Sequence, residues 1–332
     1  MQALPTLRQL QFFAALVRRE SFSKAAEDCF VSQSTLSSAI KELETVLNCD
    51  LVDRSTRRFA LTPAGRDAAR RSATILAEAE DLIRAAAARK PLEGAFHLGV
   101  IPTIAPFLLP RAAPALRRSF PALELFLRED LTAALVERLA DGSIDAALIA
   151  LPYDLPGIEW IAVGEDPFYF AGPADSPLAA KEAVGPGDLK KAPLLLLEDG
   201  HCLREHALDA CRMKDSDVYG SFSATSLFTL TQMVKAGLGA TLLPKMAVDA
   251  GLAAASDLLV RPLAARSANR TIGVAWRKGS GRKEDCALLA ETIREALAGP
   301  AGEARAPGGK VDTGFPPKRR DHQGTRSSGV IP

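Results

Sequence analysis

The sequence predicts an α/β protein in three parts: a small all-helical module, one long helix, and a larger region where strands and helices alternate. Three observations carry this. Residues 1–62 hold no Gly and one Pro, Pro5, and read as short helices joined by short turns. Residues 63–90 are rich in strong helix formers, with apolar residues at three- and four-residue spacing. After Gly94, short apolar runs alternate with helical segments, a pattern that implies crossover connections and a mainly parallel, doubly wound sheet. Residues 91–299 are long for one such sheet, so two lobes are expected.

In the first part, the run Ser23 to Leu47, SKAAEDCFVSQSTLSSAIKELETVL, divides at Phe30 and Val31 into two helices. Ser32 is a good N-cap for the second. There Leu36, Ile40, Leu43 and Leu47 share one face, while Gln33, Ser34, Thr35, Ser37, Ser38 and Lys41 leave the rest small and polar. A helix that enters the major groove needs this uncluttered set of donors and acceptors, and Lys41 can reach a phosphate. Arg54, Arg57 and Arg58 surround a short hairpin, where a wing would set them against the DNA backbone. In the second part, Ile75, Leu76, Ala79, Leu82, Ile83 and Ala86 form a narrow apolar stripe, stopped by Pro91 and Gly94. One helix cannot bury such a stripe against itself, so pairing with a second copy is expected ahead of packing on its own chain.

In the third part, strands are expected over 96–101, 123–127, 146–150, 168–171, 194–197, 218–223, 240–243, 258–260 and 271–276. Helices are expected over 107–120, 133–140, 203–213, 227–236 and 284–298. Residues 300–332 are rich in Gly, Pro, Lys, Arg and Ser without apolar pattern, and are expected to be a disordered tail.

Composition narrows the function. The 332 residues carry 41 Lys and Arg against 40 Asp and Glu, so any nucleic-acid site must be local rather than a global basic field. No apolar run approaches the roughly 18 residues needed to cross a bilayer, and no secretory signal opens the chain, so no membrane partner and a cytoplasmic location are expected. Five cysteines in a reducing compartment argue against a disulfide framework. Burial accounts for Cys29, Cys49 and Cys286.

Cys202 and Cys211 differ. LLLLEDGHCLREHALDAC reads as a buried strand, a turn, and a helix opening near His201 or Cys202. A thiol at that position feels the positive helix end, with His201 and Arg204 as neighbours that favour thiolate and Glu198, Asp199 and Glu205 opposing it. A thiolate attacks peroxide to give a sulfenic acid that a second thiol can trap. If 202–211 stays helical, the two cysteines lie about 13 Å apart along the axis, whereas a disulfide needs Cα atoms within about 7 Å, so bridging would require refolding. Two passive buried cysteines remain an alternative. A zinc site from His201, Cys202, His206 and Cys211 is disfavoured because Cys211 points away and nothing completes four ligands; no metal and no cofactor are expected.

LRQLQFFAALVRRESFSKAAEDCFVSQSTLSSAIKELE followed by LTPAG resembles the winged helix-turn-helix of LysR-type transcriptional regulators, and the likeness extends over roughly residues 4–298. It implies a DNA-binding module at 1–62, a dimerisation linker helix at 63–90, and a two-lobed, periplasmic-binding-protein-like regulatory domain at 91–299. Glu42 stands where members often keep a basic residue, Asn48 replaces a usual Gly, and Phe228 replaces an acidic residue. GHCLREHALDAC, with GVIPTIAPFLLP, FSATSLFTL and RTIGVAWR, is similar to the peroxide-sensing members of that family. That similarity implies a peroxidatic Cys202, a resolving Cys211, and a peroxide pocket of Thr103, Thr132, His201 and Arg270. The residues alone also allow Thr103 and Thr132 to be helix caps. The implied partners are promoter double-stranded DNA, further copies of the chain as a dimer or tetramer, hydrogen peroxide and a recycling thiol reductant. The implied output is activation of oxidative-stress genes, with no enzymatic role. Two other functions compete: a regulator that answers a small organic ligand, and a thiol peroxidase carrying a DNA-binding domain.

Overall fold

The structure, a computed structural model, describes residues 3–54, 58–86, 90–190, 192–211, 224–264 and 268–298. Arg57, the strand expected at 218–223 and the tail expected at 300–332 lie outside the described residues, as do residues 87–89 of the helix expected over 63–90.

The first three helices are α1 (Leu7–Arg19), α2 (Phe22–Asp28) and α3 (Gln33–Leu47). Each begins on a hydroxyl: Thr6 forms a capping box with Gln9, and Ser21 and Ser32 cap α2 and α3. Phe13, Leu16, Leu36, Ile40 and Leu43 form the core beneath them. Leu47, at the end of the apolar face of α3, is partly exposed. Asn48 ends α3 in the left-handed region at φ 51°, which explains the usual Gly there: Asn is the next residue to tolerate it. Glu42 accepts a hydrogen bond from Gln9 Nε2 at 3.2 Å, so this departure ties α3 to α1. An antiparallel bridge between Val52 and Leu61 forms the base of the wing.

Helix α4 (Pro63–Ala86) presents two faces. Ala68, Ala69 and Leu76 pack into the α1–α3 core, and Ser72, Ala77 and Asp81 are buried against the rest of the chain. Arg277 forms ion pairs with both Glu78 and Asp81. The stripe expected to seek a partner divides: Leu76 joins that core, whereas Ile75 is 45%, Leu82 73% and Ile83 70% exposed. Packing on its own chain and exposed apolar side chains therefore coexist on one helix.

The remaining elements are β1 (Gly94–Val100), α5 (Ala105–Ser119), β2 (Leu123–Glu129), α6 (Thr132–Ala140), β3 (Ala146–Leu151), β4 (Ile158–Gly172), a 3-10 turn (Pro177–Ala180), α7 (Pro186–Leu189) and α8 (Cys202–Cys211). They continue as α9 (Leu227–Lys235), β5 (Thr241–Pro244), α10 (Lys245–Asp249), α11 (Leu252–Ala255), β6 (Leu259–Pro262), β7 (Asn269–Arg277) and α12 (Lys283–Ala298). The sheet runs β2-β1-β3-β7-β4-β5, with β6 also on β4.

The sheet is mixed rather than mainly parallel. Among the seven described strands β1 pairs in parallel with β2 and β3, whereas β3 with β7, β4 with β7, and β4 with β5 and β6 pair antiparallel. The reason is that β4 and the late strand β7 enter as an antiparallel pair in the middle of the sheet. Residues 158–167 of β4 pair with β7, and residues 168–172 pair with β5 and β6. One strand thus belongs to both lobes. The first lobe packs Leu98, Leu148, Ile149, Val274 and Leu289 around its sheet, and the second packs Phe168, Leu195, Leu230 and Leu243. The run Leu194 to Leu197 makes isolated bridges to Ala240 and Ala224 rather than a full strand. Among the described residues, no helix is long and apolar enough to cross a membrane.

Candidate functional site

The chain just after β1, the start of β7 and the starts of α6 and α8 converge on Cys202, and the middle of β4 joins them through Asp166. Ile101, Pro102, Thr103, Leu131, Thr132, Gly200, His201 and Cys202 line a small, tightly closed recess. Thr103, Thr132, His201 and Arg270, which the sequence grouped only by resemblance, are all buried here. Of Cys211 only the helical backbone is described, nine residues along α8 from Cys202.

Arg270 is the fixed centre, fully buried at 0% exposure. Its Nε and Nη2 donate to Asp166 Oδ2 at 3.0 and 2.9 Å, its Nη1 to Thr103 Oγ1 at 2.8 Å, and its Nη2 to the Thr103 carbonyl at 3.0 Å. Asp166 also accepts Met246 N–H at 2.9 Å. The antiparallel register places Asp166 opposite Arg270, so the sheet itself builds the pair. A buried guanidinium whose donors are satisfied on both sides cannot swing, which makes its charge a permanent feature of the recess.

Neither threonine caps a helix. Ile104 and Leu131 occupy the N-cap positions of α5 and α6, and neither helix has a side-chain cap bond. Thr103 is held by Arg270 instead. Thr132 Oγ1 lies near enough to the Cys202 thiol to lower its pKa, yet it makes no hydrogen bond of good geometry and stays a buried hydroxyl with no settled partner. Such a group marks a place where another polar molecule would be welcome.

The electrostatics differ from the sequence expectation. Burial pushes the Cys202 thiol up; Thr132, the Arg270 charge and the Leu203 N–H at the helix start pull it down, and Glu205 opposes them. Arg204, expected to favour thiolate, bonds instead to the Leu197 carbonyl at 3.1 Å and pairs with Asp199 at 3.1 Å. His201 is pushed down by burial, against the pull of Glu198, so it stays neutral at pH 7 and adds no charge. The cation that matters comes from β7, far away in sequence. Missed by sequence reasoning were Asp166, Met246, Tyr153 and Pro152. Adjacent carboxylates opening an apolar aromatic run, Glu165 and Asp166 in GEDPFYF, were the available signal. Cys286 is buried in α12 and its thiol is pushed far up by burial and by Asp285 and Asp145. Cys29 and Cys49 are half-buried beside the α1–α3 core.

The second candidate surface is α3. Gln33, Ser34, Thr35, Ser38 and Lys41 are exposed and Ser37 is half-buried, while Ser32 caps the helix. The face is pre-ordered: Ser23 Oγ donates to Gln33 Oε1 at 2.9 Å, and the Ser32 hydroxyl lies 2.8 Å from those of Ser34 and Thr35. Arg54 reaches back to Glu44 at 2.8 Å, and Glu44 in turn accepts Leu51 and Val52 N–H. This wing arginine therefore braces the hairpin. Arg58 is exposed nearby.

Two family models match the chain: "Bacterial regulatory helix-turn-helix protein, lysR family" over residues 7–66 and "LysR substrate binding domain" over residues 89–298. A relative from Mycobacterium leprae, described as a probable hydrogen peroxide-inducible genes activator, is 40% identical over 296 residues, 88% of this chain and 94% of its own. A full-length OxyR variant from Pseudomonas aeruginosa superposes with TM-score 0.72 at 35% identity, covering 88% of this chain and 98% of its own. A hydrogen-peroxide-bound OxyR mutant from Corynebacterium glutamicum superposes with TM-score 0.60 at 34% identity, covering 90% and 94%.

Proposed function

Because the chain belongs to the LysR family of bacterial transcriptional regulators, we propose that it is a DNA-binding regulator that senses hydrogen peroxide at Cys202 and switches through a Cys202–Cys211 disulfide. The observation that carries this is the site itself, where a buried thiol and an unsatisfied Thr132 hydroxyl line one small recess and the fixed Arg270 charge acts on the thiol from behind Thr103.

The chemistry balances without a cofactor. The Cys202 thiolate attacks one peroxide oxygen, the O–O bond breaks, and the departing hydroxide leaves as water after taking a proton. Arg270 and the two threonine hydroxyls stabilise the charge that moves onto the leaving oxygen, and neutral His201 borders the same space. The sulfenic acid on Cys202 is then attacked by the Cys211 sulfur, forming the S–S bond and releasing a second water. A cellular thiol reductant supplies two electrons to restore the dithiol. While α8 is helical the two Cα atoms are about 13 Å apart, so the disulfide requires the segment to unwind.

DNA is read by α3, with Ser32, Gln33, Ser34, Thr35, Ser37, Ser38 and Lys41 in the groove and Arg54, Arg57 and Arg58 at the backbone. In this reading residues 1–62 bind DNA, residues 63–90 join two copies through Ile75, Leu82 and Ile83, and residues 91–299 sense. A second reading, an organic effector with passive cysteines, is favoured by an apolar recess of about 330 Å³ beside Thr103, walled by Pro106, Phe107, Leu227 and Phe228. Mass spectrometry after stoichiometric peroxide separates the two. The first reading expects a Cys202–Cys211 linkage, no response in Cys202→Ser, and a trappable sulfenic acid in Cys211→Ser. Oxidation of Cys211 in the Cys202→Ser protein would overturn the assigned roles.

A further inference from the structure

One buried titratable group beside Cys202 has no part in that chemistry. His206 follows Cys202 by four residues on α8, which sets both on one face, and it is only 6% exposed. Its Nε2 lies 2.8 Å from the Pro152 carbonyl oxygen. A carbonyl only accepts, so Nε2 carries the hydrogen and donates it, leaving Nδ1 with a lone pair. Nδ1 is buried and has no hydrogen-bond partner. Pro152 directly follows β3, so this bond fastens the redox helix to the first lobe.

We propose that His206 is a positioning residue: it latches α8 in the helical, dithiol form through Pro152, and disulfide formation releases it into water, where it takes up a proton. The inference rests on the Cys202–Cys211 disulfide. The geometry supports it in two ways. The Pro152 bond must break if the segment between the two cysteines unwinds, and the orphaned Nδ1 gains a water partner only when it does. The latch therefore opposes release with one nitrogen and favours it with the other, which keeps the helix poised rather than locked.

The surroundings give the proton dependence its sign. In the latched form burial pushes the His206 imidazole down; the Pro152 bond raises it, the Arg270 charge from β7 lowers it further, and Glu205 and Asp209 on α8 raise it. Tyr153, next to Pro152, is held protonated by burial and by Glu205, Cys202 and Asp154, and Asp166 faces Arg270. A released imidazole returns to the ordinary value of about 6.5. Below that pH the disulfide form binds one more proton at His206 than the dithiol form, so acid favours the disulfide.

The test equilibrates the full chain with glutathione redox buffers at several pH values and measures the fraction of disulfide. Exchange with glutathione consumes no net proton by itself, so any pH dependence reports on side chains. Between pH 6.5 and 5.5 the dithiol-forming equilibrium constant of the parent should fall more steeply than that of His206→Gln, by up to about tenfold per pH unit. Glutamine keeps an N–H donor for Pro152 and does not titrate. His201 titrates by the same logic but is present in both proteins, so the comparison isolates His206. At pH 7.5, His206→Gln should lie within about threefold of the parent, whereas His206→Ala, which loses the latch, should shift up to about tenfold toward disulfide. Coincident pH curves for parent and His206→Gln, with the disulfide formed in both, would overturn the latch alone. If no Cys202–Cys211 linkage forms in the parent, the latch and the disulfide reading fall together.

Discussion

Removing the Asp166 carboxylate tests whether Arg270 is the fixed charge of the recess. Asp166→Ala leaves a guanidinium at 0% exposure without the carboxylate that accepts two of its N–H groups, and it also strips Met246 N–H of its acceptor. Breaking a buried ion pair from one side costs about 3–5 kcal/mol, and an orphaned buried N–H about 1–3 kcal/mol; the two overlap in one network, so at least about 3 kcal/mol is expected. With a urea dependence near about 3 kcal/mol per molar, the unfolding midpoint should fall by about 1 M or more. The chain's two tryptophans, Trp160 and Trp276, sit on the adjacent strands β4 and β7 and report this lobe by fluorescence. Asp166→Asn keeps an acceptor and should lose less. Because the Arg270 charge is then uncompensated, the Cys202 thiolate should be better stabilised and react faster with peroxide at pH 7. A midpoint shift below about 0.3 M in Asp166→Ala, or a slower reaction in a folded Asp166→Asn, would refute the electrostatic account.

Four further outcomes are expected. Thr132→Val should change stability by no more than about 1 kcal/mol, since the lost hydroxyl had no settled partner, yet slow sulfenic acid formation at Cys202 by about tenfold or more, read by a sulfenic-acid trap. The Cys202 oxidation rate should keep rising with pH beyond about pH 8.5, because burial raises the thiol and the thiolate fraction is still growing there; a plateau near pH 7 in stopped-flow measurements would contradict this. Gln33→Ala should lose discrimination between operator and altered sites, whereas Lys41→Ala or Arg58→Ala should weaken binding to every sequence and reduce the salt slope by about 1. Reduced and disulfide-bonded protein should protect one operator over different lengths, reversibly with a thiol reductant, and identical footprints would exclude the switch.

Local signals made the reading head legible. Ser32 as a cap, the apolar ladder from Leu36 to Leu43 and the polar face between them are properties of one helix, and periodicity reports such properties directly. Strands β1, β3 and β7 were legible for a similar reason: each is a buried apolar run. The first half of β4 was not, because its Glu159, Gly164 and Glu165 interrupt the pattern, and with β4 went the antiparallel centre of the sheet. At the redox site, Cys202 announced itself through its neighbours, but those neighbours were the wrong ones. Arg204, two residues away, turns to Asp199 and a carbonyl, while Arg270 arrives through strand pairing. Tertiary pairing of this kind leaves no trace at short range. The threonines were singled out by resemblance, and the structure closes the local alternative, since neither does the capping that the local sequence allows.

Strand β7 carries Arg270 at one end and Arg277 at the other, the first seated in the recess and the second on Glu78 and Asp81 of the long helix. Seven residues of strand span roughly 23 Å, and ladders to β3 and β4 brace both edges. Mechanically this is a tie rod: its shaft hardly stretches, so strain raised at one end is delivered to the fastening at the other. The two bolts there are unequal. Asp81 is 7% exposed and cannot be changed without stranding a buried charge, whereas Glu78 is 57% exposed and can drift at little cost. Mutational change at Glu78 can therefore alter how tightly the rod grips the helix while the Arg270 end stays intact, giving selection a way to adjust one fastening without rebuilding the other.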